Sequence, residues 1–330
     1  MPDGQKMTPV IDISPLTSSN SELWRVVDQM IGEACQARGG FVVTGLPPLL
    51  QQKDAIVENF FKVFDLPESV LYEIAKREMR SDSKLTVRGY LNRNKGGFAY
   101  GEQFDLGRED IAPGPDIDGI EMLINKNAWP SQEPERGWRK EVIEHFQQME
   151  SLGILIIRSI ARYLGVDEFA AAGRFETSSS TLRFLKYPKR PDHIEILGEK
   201  GAMRVVDGCE VPLVASEHTD NCGLTFQWQD EPGLQIQTPD GEWLGIPNIR
   251  KGFSVHLGEV LDTQTSGRMH ATPHRVYSTG KTRHSMVFFL EPNLFGSVKP
   301  FSTEPNEPIA SDENTYAASM INTLRNTGRA

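Results

Sequence analysis

Three short patterns, far apart along the chain, constrain it more than its composition does. Ser216-Glu217-His218-Thr219-Asp220-Asn221-Cys222 carries a histidine and an aspartate one residue apart. On a β-strand, where side chains alternate with period two, that spacing puts His218 and Asp220 on one face. A distant histidine, His274, follows a proline in Thr272-Pro273-His274-Arg275-Val276, where a loop enters a strand. Two imidazole nitrogens and one carboxylate oxygen on one side of a metal leave its opposite face open, the arrangement suited to non-haem Fe(II). Further on, Arg283-His284-Ser285 opens the apolar run Met286-Val287-Phe288-Phe289-Leu290. Arg283 and Ser285 again share a strand face, and a guanidinium beside a hydroxyl is a socket for a carboxylate. H-x-D alone occurs by chance in many chains. The three patterns in this order are far more specific.

In that order the motifs resemble the isopenicillin N synthase-like family of Fe(II)- and 2-oxoglutarate-dependent dioxygenases. The resemblance runs from Pro9-Val10-Ile11-Asp12 to about Pro292 and is strongest between Leu182 and Leu290. It implies iron held by His218, Asp220 and His274 as the catalytic centre. It also implies 2-oxoglutarate as cosubstrate, chelating the metal and anchored at its far carboxylate by Arg283 and Ser285. Tyr187, in Leu182-Arg183-Phe184-Leu185-Lys186-Tyr187-Pro188, matches a family tyrosine that also contacts the 2-oxo acid. Leu185 stands where the family carries asparagine, a departure within that strand. Arg88 and Tyr90 fall in a region that walls the family's substrate pocket and are candidate substrate contacts; a surface arginine and a packing tyrosine are the alternative. The implied reaction consumes O2, releases succinate and CO2, and hydroxylates, desaturates or cyclises a small molecule. Arginines at 88, 93 and 183 favour a carboxylate-bearing substrate. Two other readings stay open: an Fe(II) oxidase like isopenicillin N synthase, which directs its R-x-S pair at the substrate and needs no 2-oxoglutarate, and a non-catalytic β-sandwich that binds a metal or ligand.

The chain has 330 residues, 38% hydrophobic and 24% charged, enough for a sizeable core. A net charge of −10 argues against nucleic acid or an anionic membrane surface as partner. No leader-like or membrane-length apolar run stands out. Cys35, Cys209 and Cys222, odd in number and without C-x-x-C spacing, read as free thiols in a reducing cytoplasm. Cys222 reads as a small buried side chain rather than a ligand.

Helical spacing predicts helices after Ser21 as cap, around Ile56–Phe64, from Glu68 to Arg80, from about 137 to 164, and near the C-terminus at Tyr316, Met320, Ile321 and Leu324. Lys95-Gly96-Gly97 lacks the flanks of a phosphate loop. From Ser180 onward short strands succeed one another, with Gly233–Gln237 and Glu242–Ile246 paired across Pro239-Asp240-Gly241. Strands that come after helices suggest a double-stranded β-helix, or jelly roll, with a helical layer. The expected parts are an N-terminal α/β region (1–175) with the long scaffold helix, a jelly-roll core (176–295), and a C-terminal tail and helix (296–330), integrated as one unit. His256 faces either core or cavity; His270 reads as solvated, His284 points away from Arg283 and Ser285, and nothing recommends His145, His193 or Glu217.

Overall fold

The computed structural model describes residues 8–51, 54–93, 101–111, 114–189, 203–249, 251–301 and 314–326. Lys95-Gly96-Gly97 and His193 lie outside them. The first helix, Ser21–Arg38 (α1), is capped by Asn20, whose side chain accepts from Glu22 N. The cap is therefore one residue earlier than Ser21. Gly39 ends the helix at φ 73°, a left-handed conformation that glycine adopts without steric cost. Val10–Asp12 (β1) and Gly40–Thr44 (β2), on either side of α1, pair in parallel.

Asp54–Phe61 (α2) runs into a 3-10 turn, and Glu68–Glu73 (α3) is much shorter than the helix expected to reach Arg80. Ala75 and Lys76, just past its end, are drawn into other contacts. Ala75 bridges to Tyr90, and Lys76 turns inward to place its ammonium 2.5 Å from Asp105. A buried ion pair here outweighs the helix propensity of the next turn. Gly89–Asn92 (β3) and Glu102–Gly107 (β4) then pair antiparallel.

Trp138–Leu164 (α4) spans the long helix as its apolar stripe requires, and Gly165 closes it at φ 71°. No described helix is long and apolar enough to cross a membrane. After Glu168–Gly173 (α5) come Thr181–Tyr187 (β5), Met203–Val206 (β6), Cys209–His218 (β7), Leu224–Gln229 (β8), Leu234–Gln237 (β9), Trp243–Gly245 (β10) and Phe253–Leu257 (β11). Glu259–Gln264 (α6), His274–Tyr277 (β12), Arg283–Leu290 (β13) and Tyr316–Asn326 (α7) complete the order.

The strands form two sheets, ordered β1-β2-β11-β8-β13-β5-β4-β3 and β10-β9-β12-β7-β6. This is the jelly roll. Strands β1 to β4 precede residue 175 yet belong to the larger sheet, so the N-terminal region builds part of the same wall. The outer face of that sheet is apolar: Phe104, Phe184, Phe226, Met286 and Phe288 join Trp138, Phe146 and Ile156 of α4 in one core. Each such burial contributes about 1.5–3 kcal/mol. By the same alternation the inner face carries Gln103, Asp105, Arg183, Tyr187, Thr225, Gln227, Gln229, Arg283 and Ser285. A polar face between two sheets is costly unless it holds something polar. That face is where the site lies.

Candidate functional site

His218 is the last residue of β7, and His274 is the first residue of β12, paired with it in register. Two adjacent antiparallel strands thus bring residues far apart in sequence to ring centroids 4.1 Å apart. Asp220 lies beyond the end of β7, in the turn leading to β8, so the same-face argument for H-x-D does not hold as a strand argument. The turn delivers the carboxylate instead. His218 Nε2 is 3.6 Å from Asp220 Oδ1, His274 Nε2 is 3.5 Å from Oδ2, and one donor atom from each of the three lies within 4.8 Å of the others.

The donors are prepared for a cation. His218 Nδ1 donates to Ser216 O at 2.7 Å and His274 Nδ1 to Thr272 O at 3.1 Å. Both acceptors are backbone carbonyls, so the proton sits on Nδ1 and Nε2 carries the lone pair. Burial lowers the His274 pKa to about 4 and also lowers His218, with the neighbouring imidazole adding to it. Both are neutral, as ligands must be. Burial alone would raise Asp220, but His274, His256 and His218 outweigh it and hold the carboxyl well below the usual range.

Two supporting residues are not singled out by the motifs. Thr225 Oγ1 donates to Asp220 Oδ2 at 2.6 Å, and His256 Nε2 lies 3.1 Å from the same oxygen. His256 is buried in β11, with its ring 4.3 Å from that of His274. Of the two orientations open to it from sequence, it takes the cavity. Cys222 is buried and near Thr225 Oγ1 rather than among the donors. His270 is exposed, His284 pairs outward with Asp230, and Glu217 faces Arg204 and Arg275, as their positions imply.

Arg283 and Ser285 share the inner face of β13, and Tyr187 stands opposite Arg283 on β5. Arg283 is 2% exposed; its Nε donates to Glu231 O and its Nη2 to Gln229 Oε1 at 2.6 Å. Its Nη1 is buried without a partner, and no carboxylate among the described residues lies within ion-pair distance of it. Ser285 donates to Trp228 O and accepts from Gln227 Nε2. An orphaned guanidinium edge, a hydroxyl and a phenol on one wall fit a carboxylate. Two neutral imidazoles and a carboxylate with an open side fit Fe(II). The residues present therefore suit both groups.

Arg88 and Tyr90 do not join this cluster. Tyr90 pairs with Phe104 on the outer face, among the apolar core, and period two turns it away from the space between the sheets. Arg88 is 2% exposed and donates to Thr181 Oγ1, Leu106 O and Ser179 O, over Gly107, where a side chain would collide with it.

Comparison with known proteins agrees with this geometry. Residues 178–292 match the 2OG-Fe(II) oxygenase superfamily, and residues 8–132 match the N-terminal region described as non-haem dioxygenase in morphine synthesis. The chain is 30% identical over 309 residues to the 2-oxoglutarate-dependent dioxygenase citB of Monascus ruber, covering 88% of this chain and 87% of that protein. It is 26% identical over 323 residues to isopenicillin N synthase of Streptomyces clavuligerus, covering 96% and 94%. Among solved structures, a full-length Neurospora crassa protein in complex with alpha-KG superposes with a TM-score of 0.77 at 22% identity, covering 97% of this chain and 96% of that one.

Proposed function

The chain belongs to the 2OG-Fe(II) oxygenase superfamily, and from that premise we propose which of its residues do the work of an Fe(II)- and 2-oxoglutarate-dependent enzyme oxidising a small organic molecule. His218, Asp220 and His274 hold the iron. Arg283, Ser285 and Tyr187 hold the far carboxylate of 2-oxoglutarate. Bound together, the metal and cosubstrate supply the oxidising power, with O2 consumed and succinate and CO2 released.

The protein's share is positioning. Ser216 and Thr272 carbonyls fix the imidazoles in the ligating tautomer, and Thr225 with His256 turns Asp220 so that Oδ1 is left for the metal. Arg283 offers Nη1 already desolvated, so little reorganisation is needed when a carboxylate arrives. The Ser285 hydroxyl, now donating to Trp228 O, can rotate its proton to the same carboxylate. The observation that carries this assignment is the orphaned Arg283 edge beside a hydroxyl and a phenol on the inner face of the larger sheet, the face whose Thr225 and His256 reach Asp220 of the triad.

Anaerobic titration of the Fe(II)-loaded protein with 2-oxoglutarate, followed by visible absorption, tests it. A weak charge-transfer band that saturates in wild type, and needs much higher 2-oxoglutarate in Arg283→Ala, is the expected result. Iron binding without a band in wild type would instead favour an oxidase that uses no 2-oxo acid, and an unchanged titration in the variant would remove Arg283 from the role.

A further inference from the structure

Arg183 occupies an unusual place on the inner face of the larger sheet, between Asp105 of β4 and Val287 of β13. Its Nε donates to Asp105 Oδ1 at 2.7 Å and its Nη2 to Oδ2 at 3.0 Å, with the guanidinium 5.0 Å over the Phe289 ring. Asp105 is fully buried and also takes Lys76 Nζ at 2.5 Å and Gln103 Nε2 at 3.0 Å. One edge of the arginine fork is therefore clamped. The other is not: Nη1 donates to nothing among the described residues, and the side chain keeps 31% of its surface exposed on a face that looks between the sheets.

Charge bookkeeping points the same way. Lys76 and Arg183 bring two positive charges to a single carboxylate, which leaves one in excess. Asp220 also acts on Arg183, more weakly than Asp105 does, and a bound cation would offset its charge. Arg183 and Tyr187 stand on the same strand face four residues apart, about 13 Å, with Leu185 between them. Arg183 thus addresses a part of the inner face distinct from the Arg283 socket, while near enough to the triad for its charge to act on His218.

We propose that Arg183 selects the substrate: its free Nη1 edge takes the carboxylate of a small organic acid and so sets the rest of that molecule against the open side of the metal centre. Asp105 and Lys76 act as positioning residues, holding the guanidinium planar to the wall with one edge outward. A bidentate clamp on one side fixes the direction of the other, which an unpaired lysine could not do. The proposal rests on the assignment of 2-oxoglutarate to Arg283, because only then is Arg183 left for a second carboxylate.

The test uses the full chain, loaded anaerobically with Fe(II) and saturating 2-oxoglutarate, and titrated by calorimetry with benzoate and with benzamide, which is of similar shape without the charge. Wild type should favour benzoate by about tenfold or more. Arg183→Leu should lose that preference while its 2-oxoglutarate titration stays unchanged, and Arg183→Lys should keep part of it. Asp105→Asn should reduce the benzoate-to-benzamide ratio, a quantity that a purely structural clamp would not move. Equal binding of the two probes by wild type, no binding of benzoate at millimolar concentration, or a preference that survives Arg183→Leu would each overturn the proposal. Arg283→Ala separates the two readings: it should impair 2-oxoglutarate binding and leave the benzoate preference in place. If Arg283→Ala abolishes the benzoate preference, benzoate is binding in the Arg283 socket and the assignment to Arg183 fails.

Discussion

At the scale of single residues, Asp220 depends on partners that no motif spacing advertises. Its Oδ2 is held by Thr225 Oγ1 and His256 Nε2, so only Oδ1 remains to face a cation. Thr225→Val keeps the shape of the side chain and removes the hydroxyl. Anaerobic Fe(II) or Co(II) titration should then show affinity lower by about 10–100-fold, and an unchanged affinity would mean that the turn orients Asp220 unaided. Arg283→Ala should cost about 2–5 kcal/mol of 2-oxoglutarate binding with iron affinity kept, read from the same charge-transfer titration. That His218, Asp220 and His274 come together, and that Arg283 and Ser285 share a strand face, is legible in the linear order of motifs. The inward polar row Thr225, Gln227, Gln229 is legible too, as alternation with Leu224, Phe226 and Trp228, once β8 is known to have its apolar side against the helices. What hides Thr225 and His256 is that their task is set by a third residue's orientation, and no local pattern encodes that. Tyr90 stays open between packing and substrate contact in the sequence for the opposite reason: its parity on β3 is visible only when Phe104 is seen opposite it.

At the scale of elements, the turn that carries Asp220 is strapped to the corner between β11 and α6. Gly258 N donates to Gly223 O, Glu259 N to Asp220 O, and Val260 N to Cys222 O. A methyl group on Gly258 would lie 2.1 Å from Cys222 O and 2.9 Å from Asp220 O, and both are backbone atoms tied by those same bonds. Gly258→Ala should therefore push the turn as a unit. It should cost about 1–3 kcal/mol of stability as overpacking and lower iron affinity as well. Thermal melts with and without metal check both halves; a variant that melts earlier yet binds iron normally would uncouple the corner from the site. From the other side Tyr316 Oη donates to Asn221 O, so α7 fastens the residue next to Asp220. Long periodic elements such as α4 are readable from sequence because an apolar stripe has one solution. The turn that carries Asp220 is not, since its shape comes from backbone bonds to a distant corner. The β6–β7 hairpin escapes the same reading although Asp207-Gly208, both at positive φ, marks its turn.

At the scale of the whole molecule, a chain of net charge −10 encloses a wall of cations. Arg183, Arg283 and Lys76 all lie on or behind the inner face of one sheet, so the global field says little about what the cavity accepts. Glu291, just past the end of β13, is a carboxylate close to these cations. Burial pushes its carboxyl up to about 7, against the pull of Arg88 and the hydrogen bond from Thr181. In the unfolded chain a glutamate titrates at about 4.3. Between these two values the folded protein binds a proton that the unfolded chain has released. Stability from this group is therefore fully present below about 4.3, falls as pH rises, and levels off above about 7. The loss is up to roughly 4 kcal/mol, because one pKa unit is about 1.4 kcal/mol. Glu291→Gln retains a carbonyl oxygen for Thr181 and removes the titration. Wild type and variant should unfold alike in denaturant near pH 4 and diverge toward pH 8, with the glutamine protein the more stable. Parallel curves across that range would mean that Arg88 takes up the charge and that Glu291 is ionised in the fold.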